Sequence, residues 1–457
     1  MFHKVLVANR GAVAARVLRA LKQLGIRTVA VYSEADRDLP YLAWADETRA
    51  IGPADARASY LNQDALLAVL AETGADGLHP GYGFLSENAG FARRVAAQGA
   101  TFIGPGADWI EAMGHKTRAR DLMAARGMPL GPSSGLLDED AEATLAAARR
   151  IGYPVLVKPA GGGGGIGMLA AHDDAQLLAA VAQARSLSQR SFGCADLYLE
   201  RLVERPRHIE FQVLADRHGN VRHLYERECS VQRRHQKVVE EASAPGLPRA
   251  ALAAAADRLT RILADMRYDV IGTVETLYDG EGGFNFLEMN TRLQVEHAVT
   301  EEVTGIDLVQ AQVRLAFGER LDAVLPPSIG LNGHAIEARI YAEDPLRFLP
   351  SPGPLARLEW PSGAGIRVET GYTQGCRVTP YYDPMIAKLI VHAEDRPRAL
   401  AALEEALRAT VVEGVKTNIP FVLALLRNER FVNADIDTGL AAEVVRDMKA
   451  AAAANAA

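Results

Sequence analysis

A run of glycines after a basic residue is the clearest chemical signal in the sequence. Lys158 is followed by five consecutive glycines at 161–165, between a strand-like and a helix-like apolar stretch. Glycine buries no side chain and costs conformational entropy, so packing does not explain the run. Such a loop lets backbone N–H groups converge on phosphate oxygens, and Lys158 adds a positive charge. The spacing matches neither a Walker A loop nor a dinucleotide-binding turn, and a flexible linker is the alternative interpretation.

Two glutamates on either side of a turn predict a metal site. Glu275 and Glu288 lie in strand-like stretches, and the segment 279–283 between them is typical of a hairpin turn. Pairing of the two strands would bring both carboxylates to one face. With the amide of Asn290 they offer the hard oxygen ligands that suit Mg²⁺ or Mn²⁺ beside nucleotide phosphates. The alternative is that both acids are solvated strand residues.

A third group combines a guanidinium with a carboxylate. Arg292 and Glu296 lie four residues apart, just after Asn290. The guanidinium fork suits a planar oxyanion, and the nearby carboxylate can accept a proton from it. An ordinary surface ion pair is the alternative. The charged run 226–237, which contains His235, is interpreted as a loop over a phosphate site, although charge runs more often form a solvated face.

These groups need a scaffold, and the elements around them predict its class. Strand-like and helix-like stretches alternate through the N-terminal region, at 5–8, 14–24, 28–32, 66–78 and 91–103. This alternation predicts an open parallel α/β sheet. A helix is predicted over 108–126, followed by a small α/β segment from about 136 to 203. Residues 208–290 are predicted to be mostly strands around a helix at 249–266. A linker at 325–333 leads to a strand-rich C-terminal part with helices at 398–408 and 419–426.

The composition bounds the class of protein. The chain has 457 residues, of which 49% are hydrophobic and 23% charged, so it is globular with about three domains. Its net charge of −7 gives no bulk attraction to nucleic acid or to anionic membranes, and neither is expected as a partner. Three widely spaced cysteines without a CxxC motif, and the absence of a signal-peptide core or a membrane-length apolar run, favour a cytoplasmic location.

Taken together, these stretches resemble the biotin carboxylase family of ATP-grasp enzymes, from residue 5 to about residue 439. The motifs that carry the resemblance occur in family order at 8–11, 79–88, 158–168, 229–237, 288–297 and 381–388. The resemblance implies an α/β chain (α+β overall) with an open parallel N-terminal domain at 1–113, an ATP-grasp domain at 114–328 with a mobile lid at about 131–203, and a strand-rich C-terminal domain at 329–446. Residues 447–457 are expected to form a disordered tail.

The resemblance also implies a reaction and its participants. ATP, bicarbonate and biotin would give ADP, phosphate and N1-carboxybiotin, because ATP converts bicarbonate to carboxyphosphate, which releases CO₂ next to biotin. The implied cofactors are ATP and two Mg²⁺ or Mn²⁺ ions, and biotin is a carrier-bound substrate. Since the sequence has no Ala-Met-Lys-Met attachment site, biotin is expected on a carrier protein of a separate chain, unless this chain is a fragment of a longer carboxylase. Carboxyltransferase subunits and a homodimer are the other implied partners.

Roles follow from the resemblance residue by residue. The implied ATP-binding residues are Lys116, Lys158, Gly163, Gly164, Gly165, Glu200, Arg201, Val203, His208, Gln232, His235, Glu275, Leu277 and Glu288. The implied metal ligands are Glu275, Glu288 and Asn290. The implied bicarbonate residues are Lys237, Arg292, Gln294, Glu296 and the backbone of Val295. Lys237, Arg292, Glu296 and Arg339 form the implied catalytic set. In it, Glu296 is the general base and Arg339 stabilises the enolate oxygen of biotin, near Tyr82.

Several positions depart from the family pattern and leave the final acceptor open. The departures are Ala12 for Glu, Ile166 for a cation, Arg201 for Lys, Glu228 for Asp and Ala298 for Pro. None removes an implied metal ligand, base or phosphate lysine. The expected role is the biotin carboxylase subunit of acetyl-CoA carboxylase, at the first step of fatty acid synthesis. A component of another acyl-CoA, urea-type or 2-oxoacid carboxylase is the alternative, and Ile166 is similar to the urea-type enzymes.

Two interpretations outside the family remain. One is an ATP-grasp ligase that joins a carboxylate to an amine, which would need neither Arg339 nor the run 294–297. The other is an ATP-binding scaffold without catalysis, against which the intact Lys116, Lys158 and Glu288 argue.

Overall fold

The N-terminal region is an open parallel sheet, as the alternation predicts. The computed structural model describes residues 1–161, 167–234, 236–280 and 283–454. The strands are β1 (Lys4–Val7), β2 (Arg27–Tyr32), β3 (Glu47–Ala50), β4 (Gly77–His79) and β5 (Thr101–Phe102), and the helices are α1 (Gly11–Gln23), α2 (Gln63–Thr73) and α3 (Ala89–Ala97). The strand order is β3-β2-β1-β4-β5, all parallel. Three short 3₁₀ turns lie at Glu34–Asp36, Pro40–Trp44 and Ala56–Ala58.

Local sequence signals set the ends of these helices. The Asn62 side chain accepts a hydrogen bond from the Ala65 N–H at the start of α2, and Gly74 ends the helix at a φ of 62°. The single helix predicted over 108–126 is wrong, because two helices replace it, α4 (Ala107–Gly114) and α5 (Lys116–Ala124). His115 between them is extended, and the preceding Gly114 is a poor helix former. The break places Lys116 in the first turn of α5.

The small α/β segment has its own sheet and its own core. Its elements are β6 (Ser133–Leu136), α6 (Ala141–Ile151), β7 (Val155–Pro159), β8 (Leu169–Ala171), α7 (Asp174–Phe192) and β9 (Leu197–Arg201). The strands form an antiparallel sheet in the order β6-β9-β7-β8. Leu145, Val157 and Leu199 belong to a separate buried cluster beneath it. Residues 162–166, which are the last four glycines of the run and Ile166, lie outside the described residues.

One antiparallel sheet of eight strands runs through the centre of the molecule. Its strands are β10 (Arg207–Ala215), β11 (Val221–Arg233), β12 (Gln236–Ala242), β13 (Val270–Tyr278), β14 (Phe284–Asn290), β15 (His334–Tyr341), β18 (Ile366–Thr370) and β20 (Met385–Ala393). Their order is β14-β13-β10-β11-β12-β15-β20-β18. The interpretation of 226–237 as a loop is therefore wrong, because residues 226–233 belong to strand β11, where they are largely buried, and residues 236–237 begin β12. β12 pairs with β15, so the sheet crosses the predicted boundary at 328/329.

Helices and short strands complete the chain. The helices are α8 (Arg249–Asp265), α9 (His297–Thr304), α10 (Leu308–Phe317), α11 (Leu321–Val324), α12 (Arg396–Ala409), α13 (Ile419–Leu425), α14 (Glu429–Val432) and α15 (Leu440–Ala454). The short strands β16 (Gly353–Pro354), β17 (Arg357–Glu359), β19 (Arg377–Val378) and β21 (Val411–Glu413) form the pairs β16-β19 and β17-β21. The largest core contains Val17 of α1, Val239 of β12 and Leu389 of β20, and it therefore joins both ends of the chain.

The C-terminal tail corrects another prediction. Residues 447–454, expected to be disordered, continue helix α15. The stretch is rich in alanine, which has the highest intrinsic helix propensity, and Leu440 and Val444 anchor the helix in the core. Among the described helices, none combines the length and hydropathy that crossing a bilayer requires.

Candidate active site

Two adjoining cavities contain most of the residues that the sequence singled out. The first cavity, of about 860 Å³, is lined by the small sheet, by strands β10, β13 and β14, and by helix α15. The second cavity, of about 710 Å³, is lined by the N-terminal region, by the large sheet and by the segment around residue 383. Four residues line both cavities, namely His208, Gln232, Glu275 and Glu288.

Two lysines of the first cavity contact carboxylates. Lys158 at the end of β7 donates to Glu200 Oε2 over 2.7 Å, and Arg120 Nη1 lies 2.6 Å from the other oxygen of Glu200. Burial alone would raise the pKa of Glu200, but Lys158 and Arg120 hold it below its ordinary value. Lys116 Nζ lies 3.2 Å from Glu288 Oε2. Sequence reasoning missed Arg120, although it follows Lys116 by one helical turn in α5.

The remaining predicted nucleotide residues gather around the same cavity. Its lining includes Arg201, Val203, His208, Gln232, Glu275, Leu277 and Glu288. Leu156, Met168, Leu277 and Leu287 add an apolar wall that suits a planar base. Gly163, Gly164, Gly165 and His235 lie outside the described residues. Helix α15 also contributes to the lining, through Ala441, Val445 and Arg446 among others, which the sequence did not predict.

The predicted metal ligands lie where the two cavities meet. Glu275 and Glu288 are direct partners in the β13–β14 register, so the predicted hairpin pairing is confirmed. Burial opposes ionisation of Glu275, but Lys237 and His208 lower its pKa. The two carboxylates are a fitting oxygen donor set for Mg²⁺ or Mn²⁺. Asn290 lies beside them, since its Nδ2 donates to Glu275 Oε1 over 2.9 Å and its Oδ1 accepts from Arg292.

Lys237 is the hub of the second cavity. Its Nζ contacts Glu210 Oε2 at 2.5 Å, Glu275 Oε1 at 2.8 Å and Glu296 Oε1 at 2.6 Å. Burial would lower the pKa of this ammonium, but the three carboxylates raise it well above its ordinary value. Sequence reasoning missed Glu210. The signal was available in β10, where His208, Glu210 and Gln212 alternate and therefore share one face.

Glu296 is an ionised carboxylate held between two cations. Arg339 Nη2 donates to Glu296 Oε2 over 3.0 Å, while its Nε donates to Glu240 Oε1 over 2.6 Å. Burial alone would raise the pKa of Glu296, but Lys237, Arg339 and the buried Arg227 hold it well below its ordinary value. A carboxylate that is ionised and faces a cavity can accept a proton from a bound substrate. Glu240, which orients Arg339, was not predicted.

Arg292 is oriented by residues from two parts of the chain. Its Nη1 donates to Gln294 Oε1 over 2.9 Å, its Nη2 to Asn290 Oδ1 over 2.8 Å and its Nε to Glu87 Oε2 over 2.8 Å. Glu87 also accepts from the Thr291 N–H. Glu87 lies in one of the motifs that carry the resemblance, but its side-chain role was not predicted. The structure therefore gathers Arg292, Gln294, Val295 and Glu296 around the second cavity.

The structure also places Tyr82 and two of the positions that depart from the family pattern, Ala12 and Glu228. The Tyr82 hydroxyl is buried without a hydrogen-bond partner among the described residues and lines the second cavity. Asn9, from the first motif, donates to the backbone carbonyls of Pro80 and Tyr82 and so fixes this segment. Ala12 lines the second cavity as well. Glu228 accepts hydrogen bonds from Arg207 and Ser230.

Comparison with known proteins covers nearly the whole chain. Residues 1–110 match the family model of the biotin carboxylase N-terminal domain, 115–324 that of the carbamoyl-phosphate synthase L chain ATP-binding domain, and 337–443 that of the biotin carboxylase C-terminal domain. A biotin carboxylase of Halalkalibacterium halodurans is 49% identical, over 94% of this chain and 95% of that protein. A pyruvate carboxylase subunit of Methanothermobacter thermautotrophicus is 46% identical, over 98% of this chain and 91% of that protein.

A solved structure matches at similar length. It is the biotin carboxylase domain dimer of 2-oxoglutarate carboxylase from Hydrogenobacter thermophilus, in complex with MgADP, ADP and bicarbonate. The TM-score is 0.93 at 43% identity, over 97% of this chain and 99% of that chain. The match confirms the mixed α/β architecture with a parallel N-terminal sheet and antiparallel sheets beyond it.

Proposed function

The chain belongs to the biotin carboxylase family, and from this premise we propose that it serves as the separate biotin carboxylase subunit of an acetyl-CoA carboxylase. The family activity is an ATP-dependent ligation that carboxylates biotin. The observation that best supports the activity is the position of Glu296, which is held ionised by Lys237 and Arg339 and lies beside a cavity with phosphate-binding cations. In the proposed role, biotin arrives on a carrier protein and carboxyltransferase subunits consume the product.

The residues of the first cavity would bind and orient ATP. Lys116 and Lys158 are placed to contact its phosphates, and the apolar wall would hold the base. Glu275 and Glu288 would hold two Mg²⁺ or Mn²⁺ ions, which neutralise charge on the phosphates during transfer. Related biotin carboxylase structures contain MgADP and bicarbonate, which supports these assignments.

The residues of the second cavity would complete the reaction. Lys237, Arg292, Gln294 and the Val295 backbone would bind bicarbonate, and Glu296 would take its proton. A bicarbonate oxygen then attacks the terminal phosphorus of ATP, so that ADP leaves and carboxyphosphate forms. Carboxyphosphate breaks into CO₂ and phosphate, the phosphate takes the N1 proton of biotin, and N1 attacks CO₂. Arg339 would stabilise the enolate oxygen of biotin, and Tyr82 lines the same cavity.

A 2-oxoacid carboxylase is the second candidate. The structural match to a 2-oxoglutarate carboxylase domain and the 46% identity to a pyruvate carboxylase subunit both favour it. We also propose a cytoplasmic homodimer with domains at 1–113, 114–328 and 329–446 and a lid at about 131–203. The dimer of the related structure supports the homodimer, and the ends of the matched family models support the bounds.

Two assays test this proposal. The purified chain should release ADP only when bicarbonate is present, and free biotin should raise the rate; an ADP-release rate that ignores both would contradict the activity. For the acceptor, the tagged chain is purified from its host with its carrier and carboxyltransferase and supplied with labelled bicarbonate. Acid-stable label should appear with acetyl-CoA and not with pyruvate or 2-oxoglutarate. The opposite result would establish the 2-oxoacid alternative.

A further inference from the structure

The segment 291–296 carries most of the proposed bicarbonate residues but has no regular secondary structure. It connects the end of β14 to the start of α9. Two buried side chains bind successive carbonyls within it. Lys388 Nζ of β20 donates to the Val295 carbonyl over 2.5 Å, and His297 Nδ1 lies 2.8 Å from the Gln294 carbonyl. Neither Lys388 nor His297 belongs to the lining of the second cavity.

Because of peptide geometry, these two contacts fix the directions of two backbone N–H groups. A trans peptide is planar, and its C=O and N–H point in opposite directions. Binding the Gln294 carbonyl therefore fixes the direction of the Val295 N–H, and binding the Val295 carbonyl fixes that of the Glu296 N–H. Both residues line the second cavity. Within the described part of the chain, neither N–H donates a hydrogen bond.

His297 can act only through its hydrogen bond, because it carries no charge. Burial lowers the pKa of His297 well below its ordinary value, and the neighbouring Lys388 lowers it further. A carbonyl oxygen only accepts hydrogen bonds, so Nδ1 of the neutral ring must carry the proton. The ring is therefore a fixed neutral donor to Gln294.

Lys388 shares the neutralisation of Glu369 with two arginines. Its Nζ lies 2.8 Å from Glu369 Oε2. Glu369 is already paired with Arg367, and Arg16 Nε lies 3.4 Å from it. A fully buried ammonium is costly unless it is paired and hydrogen-bonded. Lys388 Nζ also lies 3.5 Å from Glu337 Oε2. Unlike the two arginines, it donates a hydrogen bond to the Val295 carbonyl.

We propose that Lys388 and His297 are positioning residues for bicarbonate, which act by aiming the Val295 and Glu296 N–H groups at the anion. The inference rests on the proposed function, in which the Val295 backbone and Glu296 bind bicarbonate. It adds that strand β20 sets bicarbonate affinity through Lys388, which lies outside the cavity lining. Loss of either contact should weaken bicarbonate binding and leave the first cavity unchanged.

The test uses bicarbonate-dependent ADP release by the full chain, with the KM for bicarbonate and for ATP measured separately. His297→Leu removes the donor, while His297→Asn keeps an N–H near the position of Nδ1. His297→Leu and Lys388→Met should each raise the KM for bicarbonate roughly tenfold, as expected for one lost buried hydrogen bond. The KM for ATP should change by less than about twofold, and His297→Asn and Lys388→Arg should restore most of the bicarbonate affinity.

His392→Leu is the matched control, because His392 Nε2 on the same strand also lies 2.8 Å from a backbone carbonyl, that of Asn332. It should leave both KM values unchanged. Should Lys388→Met fail to fold, the uncharged His297 pair decides alone. An unchanged bicarbonate KM in His297→Leu, an equal rise in both KM values, or identical behaviour of the Leu and Asn variants would overturn the inference. A parent chain without bicarbonate-dependent ADP release would instead contradict the proposed function.

Discussion

The two cavities are built by different means, although they share four lining residues. In the first cavity, Lys158, Arg120 and Glu200 form a buried group, but Lys116 and Glu288 form a single contact between side chains that are 17% and 30% exposed. In the second cavity, Lys237 contacts three carboxylates, and Glu296 is fully buried between Lys237 and Arg339. Buried charges are stable only when each is paired, so the second cavity must be assembled before any substrate arrives.

The two cavities also differ in where their residues lie along the chain. The proposed phosphate-binding cations and metal-binding acids of the first cavity lie between Lys116 and Glu288 in the chain, with the C-terminal helix α15 at the edge. The second cavity draws on Glu87 in the N-terminal region, Lys237 in the middle and Arg339 beyond the linker. Changes in the first cavity should therefore affect nucleotide and metal affinity, and changes in the second should affect bicarbonate and biotin chemistry.

The largest expected effect separates the two cavities directly. Glu296→Gln removes the proposed proton acceptor but keeps the shape, so biotin carboxylation should fall by roughly 10²–10⁴-fold. ATP binding, measured by calorimetry, should stay close to that of the parent. Glu405→Gln, at an exposed position of α12, is the control. A Glu296→Gln variant that carboxylates free biotin at the parental rate would contradict the assignment of the base.

The second prediction concerns Glu288, which lines both cavities. Glu288→Gln keeps the size of the side chain and removes one charge of the proposed metal site, so ADP release should fall by roughly a hundredfold. The Mg²⁺ concentration at half-maximal rate should rise as well, while the KM for bicarbonate stays similar. A rate near that of the parent at saturating Mg²⁺ would remove Glu288 from the metal site.

The third prediction tests the charge network behind the second cavity through pH. Burial raises the pKa of Glu337 to about 8, and Glu240, its partner in the β12–β15 register, contributes to the rise. Between its ordinary value near 4.5 and about 8, the folded protein keeps a proton that the unfolded chain releases. The free energy of unfolding contributed by this group therefore falls as pH rises through that window.

Glu337→Gln removes this titration. From pH 5 to pH 9 the variant should gain roughly 1–4 kcal/mol of stability relative to the parent. Urea unfolding midpoints at pH 5, 7 and 9 measure the change, and Glu405→Gln should follow the parent. A constant difference between variant and parent across this range would mean that Glu337 does not titrate in the window.

The smallest expected effect tests how strongly helix α15, at the edge of the first cavity, contributes to ATP binding. Arg446 and Lys449 of α15 are exposed and lie at its edge. Because exposed charges are screened by solvent, Arg446→Ala and Lys449→Ala should each change the KM for ATP by no more than about fivefold. A hundredfold change would show that α15 contributes to nucleotide binding as strongly as the residues between 116 and 288.

Features that depend on neighbours in the chain were predictable from the sequence. The pairing of Glu275 with Glu288 was one, since a short turn between two strands leaves few other registers. The parallel N-terminal sheet was another, because its strands and helices alternate at regular spacing. Two local predictions were wrong although the sequence carried a weak contrary signal. These signals are Gly114 at the break between α4 and α5 and the high helix propensity of the alanine-rich end of α15.

By itself, the sequence determined which side chains are proposed to carry the chemistry: two lysines for phosphate, two acids for metal, an arginine fork and a base, in an order that resembles one family. Only the tertiary structure decided which of them meet. Lys237 of β12 reaches Glu210 because β12 pairs with β11 and β11 with β10, and it also reaches Glu296 in the segment before α9. Lys388 of β20 reaches a carbonyl 93 residues away. Pairing between distant strands is selected by burial of the shared core and by the need to neutralise buried charges, and neither is encoded in any short stretch of sequence.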